Sequence, residues 1–149
     1  MPLTTNTKNT ILKSLVGKNQ GMASAVYLGL SSTTPTVDGE NITEPVANRG
    51  YARVLVGSYS SSYTQLFGDP TNGSITNDAT IYFPEATDSW GDPLTHFVLF
   101  SSATDTSPNS VLGYGELRNE NGEVSPISVL TAKTVVMFRV GTLSISYAE

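Results

Sequence analysis

Only a few side chains in this sequence are of a type that could do chemistry. His96 is the sole histidine, and there is no cysteine. One histidine with a serine and a carboxylate could form a nucleophilic triad. Yet no serine lies in a Gly-x-Ser-x-Gly elbow. His96 is therefore read as a strand-entry residue, packing its ring and keeping one nitrogen hydrogen-bonded. Asp88 and Asp92 flank Trp90, as acids can flank an aromatic platform in a sugar cleft. The turn residues Ser89, Gly91 and Pro93 favour the other reading, a tryptophan anchoring its loop in the core. Asp69, Asp78, Asp88, Asp92 and Asp105 lack the spacing of a calcium loop, and zinc has no ligand set. There is no phosphate-cradling Gly-x-x-x-x-Gly-Lys segment. The expectation is no catalytic residue, no metal and no cofactor.

Binding residues remain. Tyr59 and Tyr63 sit in a Ser- and Gly-rich stretch, the texture of adaptable recognition loops, although loop-to-sheet packing fits them as well. Phe67 follows in the same stretch. Arg49 and Arg53 bracket Gly50-Tyr51. Their planar forks suit an interface, and a local ion pair to Glu44 or Glu40 fits equally. Arg49, Arg53, Tyr59, Tyr63 and Phe67 are the candidate interaction residues. Tyr51, Pro84, Trp90 and Gly91 are the candidate structural anchors.

Composition narrows the partners. The chain has 149 residues, a net charge of -5 and only 14% charged residues. The length fits one domain with a core of its own. The eight Lys and Arg form no basic run, so nucleic acid is not an expected partner. No apolar run approaches the length of a membrane span, and the polar start has no signal-peptide pattern. A polar but weakly charged surface suits a protein packed against neighbours.

These residues must be positioned by short strands. Thr5 to Val16 is the one credible helix, capped by Thr5 or Asn6 and stopped by Gly17. Ile11, Leu12, Leu15 and Val16 make its apolar stripe. So short a helix must dock, either on its own sheet or on a neighbouring subunit. Strands are expected at Ala25 to Leu30, Tyr51 to Val56, Ala79 to Phe83, Leu94 to Ser101, Val111 to Leu117, Thr134 to Val140 and Thr142 to Tyr147. Gly57 to Asn77 is a long excursion with room for one more strand. Leu94 to Ser101, apolar on both faces, reads as buried on both sides. The pattern predicts an all-β fold, a single-domain antiparallel β-sandwich (Ig-like or jelly-roll-like) with one short N-terminal α-helix. The helix occupies residues 1–20 and packs on a sandwich over 21–149.

Taken in order, several motifs resemble a family of small tailed-phage and prophage proteins described as tail-fibre or minor structural proteins. They are Val26-Tyr27-Leu28-Gly29-Leu30, then Thr33-Thr34-Pro35-Thr36, Thr43-Glu44-Pro45 and Gly50-Tyr51-Ala52-Arg53. Next come Phe83-Pro84-Glu85-Ala86-Thr87-Asp88-Ser89-Trp90-Gly91, the strand from Thr95 to Phe100, and Gly141-Thr142-Leu143-Ser144-Ile145. The loops Gly57 to Gly73, Ser102 to Asn109 and Gly115 to Ser125 are longer than the family pattern. The resemblance implies a non-enzymatic structural protein of the virion. Its implied partners are other virion proteins, of the capsid or of the tail, collar or baseplate, in a homo-oligomer or symmetric array. The alternative is a receptor- or carbohydrate-binding tail-fibre module.

Overall fold

The structure is a computed structural model that describes residues 3–18, 23–58 and 64–146. Its centre is a five-stranded antiparallel sheet. Its members are β1 (Ala25–Ser31), β2 (Val54–Ser58), β3 (Thr64–Gln65), β6 (His96–Phe100) and β7 (Val111–Glu116), in the spatial order β3-β2-β1-β6-β7. Two smaller ribbons complete the architecture: β4 (Ser74–Thr76) with β9 (Ser144–Ser146), and β5 (Ile81–Tyr82) with β8 (Met137–Phe138). The fold is all-β and sandwich-like, with one short N-terminal helix.

Side-chain alternation explains why the sheet needs cover on both faces. Leu28 pairs with Leu99 and Leu30 with Phe97, so these four share one face. They form the main core with Ile81, Phe83, Phe138 and Leu143, the residues the ribbons and their flanks bring over that face. Tyr27 pairs with Phe100 and Gly29 with Val98 on the opposite face. There Val98, Phe100 and Val111 form a second cluster with Tyr27, Ile42 and Tyr114. All five residues of β6 are buried, as its unbroken apolar run requires. The excursion after Gly57 holds two strands, β3 and β4, where one was expected.

The helix α1 (Thr5–Leu15) differs from expectation in its cap and in its orientation. Its cap is Thr4, not Thr5 or Asn6: the Thr7 N–H donates to Thr4 Oγ1. Thr4 is fully buried because it also belongs to the sheet edge. Its N–H donates to Leu112 O at 3.1 Å and its hydroxyl to Val111 O at 2.7 Å. Fixing Thr4 on β7 fixes the rotation of the helix. The inward side holds Thr7, Thr10, Ile11 and Ser14, at helical spacing. Leu12, Leu15 and Val16 are 59%, 78% and 66% exposed. The apolar stripe thus does not dock on the protein's own sheet, apart from half-buried Ile11.

Candidate interaction surfaces

The motifs Gly50 to Arg53 and Phe83 to Gly91 are neighbours in space. A 3-10 turn at Ala47–Arg49 ends at Gly50, whose φ of +89° is the left-handed conformation. A Cβ there would lie 2.5 Å from Glu85 O, so the Gly50 backbone fits directly against the segment after Pro84. Arg49 O accepts the Thr87 N–H and the Trp90 indole N–H, each at 2.9 Å. The Arg49 guanidinium in return donates to Ser89 O at 2.8 Å. Tyr51 stacks on Phe83 and meets Trp90 edge-on, with ring centroids 6.2 and 5.4 Å apart. Gly91, at φ +88°, turns the chain after Trp90, and Pro84 lies exposed just past β5.

Tyr51 also closes a gap in the sheet. The β1–β2 register ends at Leu28↔Val54, so the Leu30 N–H has no strand partner on that side. The Tyr51 hydroxyl accepts it at 3.1 Å and donates to Glu44 Oε1 at 2.5 Å. Burial, and then the Glu44 charge, push the phenol well above its ordinary range, so it stays a neutral donor.

Arg53 completes this network on the second face of the sheet. Its side chain is 3% exposed and forks onto both Glu44 oxygens, at 3.0 and 2.7 Å. Its third nitrogen donates to Ser102 O and Asp105 O, each at 2.9 Å. Its guanidinium lies 3.4 Å from the Phe100 ring centre. The loop it holds is turned by the Ser107 N–H, whose bond to the Asp105 carboxylate keeps that acid below its usual range. Gly29 makes room for all this, since a Cβ there would meet Phe100, Glu44 and Tyr51 within 3 Å. Of the two acids the sequence offered Arg53, the partner is Glu44.

Arg49 and Phe67 are half-buried, and Phe67 packs against the main core. Tyr59 and Tyr63 lie outside the described residues. Trp90 is 5% exposed, so its ring faces do not form an open platform. Two apolar surfaces lie elsewhere: the outward side of α1, whose stripe the residues showed but whose direction they did not, and the ribbon β5–β8, which sequence reasoning missed. In that ribbon Ile81 and Phe138 point in, while their neighbours Tyr82 and Met137 pair on the outside, 60% and 43% exposed.

His96 lines a cleft of about 420 Å³ with Tyr114, Glu116 and Arg118. Glu116 is its cross-strand partner, and the Thr95 hydroxyl lies 2.8 Å from its Nδ1. This is a histidine, an acid and a hydroxyl in one place, but not in a triad's geometry. The hydroxyl belongs to the adjacent residue and is half-buried beneath Ser31 O, while Glu116 pairs with Arg118 at 3.6 Å. Among the described residues no carboxylate hydrogen-bonds the other ring nitrogen, the link that would orient a catalytic imidazole. Nor do three His, Asp or Glu side chains gather there as a cation site.

Burial lowers the His96 pKa below 6.5, and Glu116 only partly offsets this. The unfolded chain therefore binds the proton first as pH falls. Stability contributed by neutral His96 is complete above about pH 6.5 and is lost as pH drops toward the folded value. Urea unfolding at pH 7.5 and 5.5 should show a smaller loss for His96→Gln than for the wild type. Equal losses would show that the imidazole is not held neutral.

The fold and its surfaces define an all-β domain in which the Arg49, Tyr51, Arg53 and Trp90 side chains bond within the domain itself. The family follows from comparison. Residues 2–144 match the model of the podophage GP4 fiber I protein gp80, and the chain belongs to that family of phage fibre proteins. Its location is the virion. No curated protein matches the chain.

Proposed function

We propose that the chain is a non-enzymatic structural subunit of a phage fibre that attaches to other virion proteins through helix α1. One observation carries this reading: the helix turns threonines and a serine inward and Leu12, Leu15 and Val16 outward. In an isolated domain the reverse rotation would bury the leucines, and each buried Leu or Val contributes about 1.5–3 kcal/mol. Thr4 prevents that rotation. Inside, the buried Ser14 hydroxyl has no hydrogen-bond partner among the described residues. A helix held this way presents an apolar side that contact with another protein would bury.

The test is incorporation. Leu12→Gln/Leu15→Gln keeps the inward side and should leave stability within about 0.5 kcal/mol, as exposed substitutions do. Particles made with this variant should lose most of the protein from the purified virion. Full incorporation would overturn the attachment role of α1.

A receptor- or carbohydrate-binding module is the second reading, and the cleft at His96, Tyr114, Glu116 and Arg118 favours it. Binding of cell-wall glycans that is lost in Glu116→Gln would support it. No binding by the folded wild type would remove it.

A further inference from the structure

We infer that the apolar side of α1 docks on a second copy of this chain. The inference rests on the attachment reading above and names the partner. Charge divides along the sequence. Lys8, Lys13 and Lys18 all lie on or just after α1, and none of the 13 acidic residues precedes Asp38. The body carries the whole negative surplus, so a helix of one copy and the body of another attract.

Within the body, the outer side of the β5–β8 ribbon fits best. Tyr82 and Met137 face out side by side, and Val135, two residues before Met137, is 45% exposed. The exposed acids Glu85 and Asp88 follow on the same segment as Tyr82, and the same ribbon side carries the cations Lys133, whose backbone N–H donates to Ala86 O, and Arg139, 3.5 Å from Glu120. Leu12, Leu15 and Val16 would cover the apolar side chains while Lys8 and Lys13 reach the acids. Two α1 helices facing each other would instead bring their lysines together, with no acid on either to offset them. Such a contact closes as a reciprocal pair when each helix reaches the other copy's ribbon, and builds rings or chains when it does not.

Sedimentation velocity of the purified chain should show a species that grows with protein concentration and shrinks as salt is raised. It should be lost in Leu12→Gln/Leu15→Gln and, independently, in Tyr82→Ser/Met137→Gln. Carbodiimide treatment of an equal mixture of ¹⁵N-labelled and unlabelled chain should join Lys8 or Lys13 of one copy to Glu85 or Asp88 of the other. A wild type that stays monomeric at every concentration overturns the inference, as do cross-links confined to single copies. If that monomer still needs Leu12 and Leu15 to enter particles, attachment through α1 stands and its partner is a different virion protein. If incorporation is also indifferent to them, both readings fall.

Discussion

Arg53→Ala should lower the unfolding free energy by about 3–5 kcal/mol, the range for removing one member of a buried ion pair. The reason lies in what is left behind. Glu44, 17% exposed at its side chain, would be left with the Tyr51 hydroxyl as its remaining donor. Ser102 O and Asp105 O would lose their shared guanidinium, and the Phe100 ring its cover. For a domain of this size such a loss lowers the midpoint by roughly 6–20 °C, measurable by circular dichroism. Arg53→Lys keeps the charge but not the fork, so its loss should be intermediate. Glu44→Gln should be as damaging alone, and the double variant should lose less than the sum of the singles. A drop under about 1 kcal/mol for Arg53→Ala would mean that water screens the pair as on a surface.

How much of this could be read from the residues depended on length and on context. The run Phe97 to Phe100 announced a strand buried on both faces, because nothing polar interrupts it. Gly91 announced a turn, and it holds positive φ. Strands of two or three residues, such as β3 and β4, are too short to show alternation, so the long excursion concealed both. The apolar stripe of α1 was legible but its direction was not. Pattern reasoning assumes that a helix turns its leucines toward its own core, and here one threonine at the sheet edge decides otherwise. Arg53 kept two open partners because the sequence does not show which acid the loop returns to it. Trp90 kept two readings because a tryptophan between two aspartates looks alike as platform and as anchor until its indole partner is known.

That last ambiguity makes Trp90→Ala informative. If the ring anchors the fold, the substitution should cost about 3–5 kcal/mol, as for a large aromatic deleted from a core. The cavity would open beside Tyr51, whose ring meets Trp90 edge-on, and Arg49 O would lose one of its two donors. Arg49 also bonds Ser89, so the segment from Glu85 to Gly91 would loosen as a unit. Trp90→Phe keeps much of the ring but no N–H, and should cost clearly less. Trp90 is the only tryptophan. Its wild-type emission should be blue-shifted by burial and move red in the same urea transition that circular dichroism follows. A sugar platform behaves differently: its ring is exposed, its emission responds to ligand, and its removal spares the fold. A Trp90→Ala variant as stable as the wild type to within about 1 kcal/mol would exclude the anchor. It would return Asp88, Trp90 and Asp92 to the role of a binding surface.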